Sequence, residues 1–101
     1  MHASVYLILQ AKGKMMKLER AFGQILREFR KKANLSQEKL AQESNLDRTY
    51  ISLLERGLRQ PSITTIFHLS IALKISSTEI VSALEAMVNE NSENRISDSE
   101  R

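Results

Sequence analysis

Arg48, Thr49 and Ser52 bring a guanidinium, a hydroxyl beside a methyl, and a second hydroxyl to positions spaced along one helix face. None is a nucleophile with a base beside it, so the chemistry they offer is hydrogen bonding rather than bond breaking. The rest of the chain sets the same limit. It has no cysteine, which excludes disulfides, thiolate metal sites and cysteine nucleophiles and fits a reducing cytoplasm. His2 and His68 are far apart and lack partners at metal-binding spacing, so each reads as a surface or core histidine. No carboxylate pair or glycine-rich phosphate loop appears. No enzyme, metal, cofactor or small-molecule site is expected.

Presenting those three side chains together requires the stretch SQEKLAQESNLDRTYISLLERG, Ser36 to Gly57. Ser36 is a natural N-cap, Glu38 suits the first turn of a helix, and Leu40 and Ala41 face inward. Asn45 falls where this helix must stop, and Asn enters the left-handed region at low cost. Asp47 is placed to cap a second helix, which buries Ile51 and Leu54 and leaves Arg48, Thr49, Ser52, Leu53 and Arg56 on its other side. Gly57 closes it. A small residue at Ala41, a turn residue at Asn45 and a branched apolar residue at Ile51 together specify a helix-turn-helix, the device that presents its second helix to a DNA major groove. A plain antiparallel helix hairpin would share the apolar positions but would not need the polar outer face.

Around this stretch the chain divides into three parts. Residues 1–17 are expected to be a flexible arm. Its run Val5-Tyr6-Leu7-Ile8-Leu9 resembles a short strand without an intramolecular partner, and Met15 and Met16 each offer a later start. That run is too short for a membrane span or a signal-peptide core, so no membrane partner is expected. Residues 18–89 form the domain. Phe22, Ile25, Leu26 and Phe29 mark a first amphipathic helix from Leu18 to Ala33, with Arg27, Arg30, Lys31 and Lys32 in its latter half. After Pro61, Ser62 caps a further helix with the stripe Ile63, Ile66, Leu69 and Leu73, and Ser77 is read as the cap of a last helix from Thr78 to about Asn89. Residues 90–101 are polar and read as a disordered acidic tail. The chain's net charge is +3, and the last thirteen residues hold Glu90, Glu93, Asp98 and Glu100 against Arg95 and Arg101, so residues 1–88 carry +5. A basic domain is drawn to nucleic acid, although the same excess is common on proteins that bind none.

The segment LSQEKLAQESNLDRTYISLLERGLRQPSITTIFHLSIALKIS, Leu35 to Ser76, closely resembles the DNA-binding domain of the Cro/repressor (Xre-type) family. Within it SNLDRTYISLLERG looks most like the controller proteins of restriction–modification systems. The resemblance covers roughly Leu18 to Met87 and implies an all-α, five-helix, lambda-repressor-like domain that binds double-stranded DNA as a homodimer. It also implies an ion pair between Arg30 and Glu55. Ser70 stands where the family usually has alanine, and Ile71 where it is usually polar.

Geometry and resemblance together assign contact roles. Arg48 and Thr49, in the first turn of the second helix, are the expected base readers, because Arg bonds guanine O6 and N7 together and a Thr methyl meets that of thymine. Ser52 reads a base or a phosphate. Tyr50 is expected to pack by its ring and give its hydroxyl to the DNA backbone. Gln37 aims its amide and side chain at a phosphate. Arg56, Arg59 and Gln60 flank the other side, and for the two arginines a solvated turn stands equally open. Ile80, Leu84, Met87 and Val88 of the last helix, with Phe67 and Ile71, are expected to join two copies, with a place in the monomer core, which the family resemblance implies, left open for Ile80. The alternative reading is an antitoxin or other protein-interaction module with the same fold, using Phe67, Ile71 and the last helix.

Overall fold

The computed structural model describes residues 17–99, beyond residue 90 as backbone alone. Five helices make up the described residues: α1 Leu18–Lys32, α2 Gln37–Ser44, α3 Arg48–Glu55, α4 Ile63–Leu73 and α5 Ser77–Ser99. The strand-like run Val5 to Leu9, and all of the N-terminal arm but Lys17, lie outside the described residues.

Local chemistry sets most helix ends. The Ser36 hydroxyl accepts from Lys39 N–H and the Ser62 hydroxyl from Thr65 N–H, both at 3.0 Å, so each starts its helix by satisfying a donor that the helix leaves open. Glu19 opens α1 and Arg30, Lys31 and Lys32 close it, matching the helix dipole at both ends. Asn45 ends α2 at φ 59°, where the Leu46 N–H reaches back to Ala41 O at 2.9 Å.

Three ends differ from the sequence reading. Asp47 occupies the N-cap position of α3, but its side chain makes no capping bond and stays in solvent. The cap of α5 is Ser76 rather than Ser77, its hydroxyl accepting from Glu79 N–H at 3.0 Å. The last helix also does not stop near Asn89 but continues to Ser99. Asn89 to Ser99 contain neither glycine nor proline, so no residue there breaks the helix.

Lys74 ends α4 in the left-handed region, at φ 60°, with Ile75 N–H donating to Ser70 O at 3.1 Å. A side chain with a Cβ adopts that conformation at a cost of roughly 1 kcal/mol that glycine does not bear. Lys74→Gly is therefore expected to stabilise the fold by about 0.5–1 kcal/mol, read as a higher urea midpoint at unchanged slope. A lower midpoint would show that Lys74 is not strained.

Each helix sends at least one fully buried side chain to a common centre: Phe22 and Leu26 from α1, Leu40 from α2, Ile51 and Leu54 from α3, Leu69 from α4 and Ile80 from α5. The packing closes a ring in which α1 meets α3, α3 meets α2, α2 meets α4, α4 meets α5, and α5 returns to α1. A second, smaller cluster of Ala21 and Val88, with Leu18, Leu84 and Met87 against it, fastens α5 along the start of α1.

Candidate nucleic-acid interface

The eight residues of α3 are split between two environments. Ile51 and Leu54 are sealed in the core, while Arg48 and Thr49 are exposed and Ser52 and Leu53 half-buried along the opposite side; Arg56, just past the helix, is exposed as well. The outward stripe therefore begins in the first turn with a guanidinium and a hydroxyl that have no intramolecular partner among the described residues.

A clamp at the far end fixes this helix. Arg30 of α1 donates from Nε to Glu55 Oε2 at 2.5 Å and from Nη2 to Glu55 Oε1 at 3.0 Å, with Nη1 bonded to Leu35 O at 2.8 Å. Both side chains are largely shielded, at 11% and 4% exposure, so the fork-to-fork pair is better insulated than a surface salt bridge. The hydrogen bond to Glu55 raises the Arg30 pKa above its ordinary value; burial opposes this and the Glu55 charge adds to it.

Two of the proposed contact side chains face inward. The Gln37 amide donates from Nε2 to Glu55 Oε1 at 3.1 Å, completing the clamp instead of pointing at a phosphate. A carboxylate oxygen beside it, already held by Arg30, is a stronger acceptor than water, and this turns the amide inward. What remains at this helix start is backbone: the N–H groups of Gln37 and Glu38, which an α-helix leaves open. Tyr50 packs its ring against the core, but its hydroxyl meets Thr65 Oγ1 at 3.3 Å, and Thr65 Oγ1 in turn meets Ser62 Oγ at 3.0 Å. Its hydroxyl thus lies against α4, the half-buried ring directing it toward buried Thr65. Arg59 and Gln60 are exposed in the loop after α3, and Gln60 leans toward Glu19 at 3.5 Å, too long for a strong bond. His68 is half-buried, and its Nδ1 donates to Ser44 O at 3.0 Å, bracing the last turn of α2.

Gly23 was not among the candidate residues, yet it lies directly against the end of α3. A Cβ there would stand 2.5 Å from both Leu54 O and Glu55 O. A lone glycine inside an otherwise apolar-periodic helix is the signal that could have found it. Among the described residues no cluster of His, Cys, Asp and Glu could hold a metal, and no helix is long and apolar enough to cross a membrane.

The family model for the helix-turn-helix matches residues 26–80. The chain belongs to the helix-turn-helix family. This helix-turn-helix protein is similar to the control protein C.BamHI of Bacillus amyloliquefaciens, with 48% identity over 61 residues, 59% of this chain and 75% of the relative. It is 42% identical over 65 residues to the control protein C.MunI of a Mycoplasma species, spanning 63% of this chain and 88% of that one. Its structure resembles that of the restriction-modification controller protein C.AhdI from Aeromonas hydrophila, with a TM-score of 0.60 and 47% identity, covering 61% of this chain and 94% of that chain. The helix-turn-helix protein is thus an all-α, DNA-binding transcriptional regulator of the Xre type.

The apolar faces of this helix-turn-helix protein sort differently from the sequence reading. Ile80 and Val88 are each only 2% exposed, committed to the monomer core rather than to an interface. Together with Leu84 they recur every fourth residue, and this stripe is the face that α5 turns back onto α1. Leu84 and Met87 are half-buried in the same packing. Phe67 and Ile71, by contrast, are 53% and 73% exposed. Ile63, read as part of the inward stripe of α4, joins them at 75%, since a spacing of four aligns positions 63, 67 and 71 on the outer face. With Val81 and Glu85 of α5, Ile63 and Phe67 line a groove of about 350 Å³.

Proposed function

We propose that the protein binds a specific double-stranded operator as a homodimer, with α3 in the major groove, and controls transcription as a restriction–modification controller does. The carrying observation is the outward stripe of α3: Arg48, Thr49 and Ser52 stand on a helix whose other face is locked in the core by Ile51 and Leu54 and clamped through Glu55. In this reading Arg48 and Thr49 read base edges and Ser52 a base or a phosphate, while the open N–H groups at the start of α2 bind a phosphate. Arg56, Arg59 and the remaining donors of Gln60 flank the DNA backbone. The similarity to two control proteins and to a controller structure supports the regulatory role.

The exposed apolar face of α4, with the groove beside α5, joins the two copies. Two-fold symmetry then places the two recognition helices on successive major grooves, so the operator is a pseudo-palindrome with half-sites about 10 base pairs apart centre to centre.

Selecting duplexes from a random pool with the full chain tests this reading and is expected to return such a pseudo-palindrome. With the selected duplex in hand, Arg48→Ala should cost about 1–3 kcal/mol on it and leave binding to a scrambled duplex nearly unchanged, because phosphate contacts sustain non-specific binding. Titration of both duplexes at fixed salt measures the difference. An equal loss on both would refute base reading by Arg48.

A further inference from the structure

Gly23 is one of two glycines at the contact between α1 and the end of α3. Gly57, just past α3 at φ +73°, is the other: a Cβ on it would stand 2.9 Å from Arg20 Cα. Both glycines therefore let backbone approach backbone. Gly23 on α1 receives the last carbonyls of α3, and Gly57 at the end of α3 receives the backbone of α1.

We infer that Gly23 and Gly57 form a seat that sets the tilt of α3, and so act as positioning residues for sequence discrimination by Arg48 and Thr49. This rests on the reading of α3 as the groove helix. The magnitudes are suited to it. A helix of eight residues is about 12 Å long, so pushing its C-terminal end outward by about 1 Å, enough to relieve a 2.5 Å approach, tilts it by about 5°. A side chain reaching about 6 Å from the helix axis then shifts by about 0.5 Å. That is the tolerance within which a recognition group must be held. The Arg30–Glu55 pair does not replace the seat, because it holds side-chain ends and the seat limits the backbone itself.

The test uses the full chain carrying Gly23→Ala or Gly57→Asn. Asparagine enters the left-handed region at low cost, so the second variant adds the Cβ without forcing a new backbone conformation. Each variant is titrated against the selected operator and a scrambled duplex, with affinities scaled to the folded fraction from thermal melts. Affinity for the operator is expected to fall about tenfold while affinity for the scrambled duplex stays within about twofold. Should Gly23→Ala fail to fold, Gly57→Asn decides alone. Equal losses on both duplexes would show a purely structural role and overturn the seat, as would unchanged discrimination in folded variants. If the wild-type protein itself distinguishes no duplex in the random pool, the groove reading falls first.

Discussion

Replacing Phe67 and Ile71 together by glutamate is expected to yield a folded monomer that no longer binds its operator at concentrations where the wild type saturates it. Both side chains are more than half exposed, so neither charge is forced into the core and the helical signal should persist. In a dimer joined through this face the same charges would be buried opposite their symmetry copies, without partners, and each would cost several kcal/mol. Loss of the dimer removes one of two recognition helices and with it roughly half of the base and phosphate contacts. Sedimentation velocity and operator titration measure the two consequences separately. A double variant that still sediments as a dimer would place the interface away from α4.

Breaking the Arg30–Glu55 clamp is expected to have the second large effect, on stability rather than assembly. Arg30→Met leaves the Glu55 carboxylate, 4% exposed, with Gln37 as its remaining described partner. Glu55→Gln leaves a shielded guanidinium with a neutral acceptor. Each single variant should lose about 3 kcal/mol, which for a domain of this size lowers the melting temperature by more than about 10 °C. The double variant should lose much less than the two losses combined, and a thermodynamic cycle reports the difference as a coupling energy. A coupling of zero would show the pair to be solvated. Because the Arg30 pKa is raised in the fold, its contribution is complete below the unfolded value, already far above neutral pH, and fades only as pH climbs through the still higher folded value. The coupling should therefore not vary with Arg30 ionisation anywhere near neutral pH.

Features governed by local chemistry were legible in the residues themselves. The hydroxyls of Ser36 and Ser62, the left-handed Asn45, and the buried pairs Leu40 with Ala41 and Ile51 with Leu54 all depend on neighbours a few positions away. What escaped depends on contacts distant in sequence. Ile63 reads with the inward stripe of Ile66, Leu69 and Leu73, but it lies with Phe67 and Ile71 on the outer face; α4 carries apolar residues on both faces, and periodicity alone cannot say which face takes Ile63. Val88 became core because Ala21 receives it, and Ile80 because it joins the cluster that holds Phe22 and Leu26. Gln37 and Tyr50 are polar groups at promising positions, but each found a nearer partner, one on Glu55 and the other on Thr65. Lys74 gave no sign of its left-handed backbone, since lysine is not a turn residue.

The closed ring of helices also bears on how much active protein a cell holds. At eight residues α3 is far too short to persist as an isolated helix, and its two inward residues are shared with α1 and α2. Its buried residues lie in the same core cluster as those of the other four helices, so its folding is coupled to theirs. Under the proposed reading, occupancy of an operator then follows the folded population of the chain. In a domain of marginal stability, a loss of about 1–2 kcal/mol at any point of the ring increases the share of chain exposed to proteolysis and lowers steady-state abundance several-fold. A substitution far from α3 would then act through dosage alone, leaving the outward face of α3 as it is.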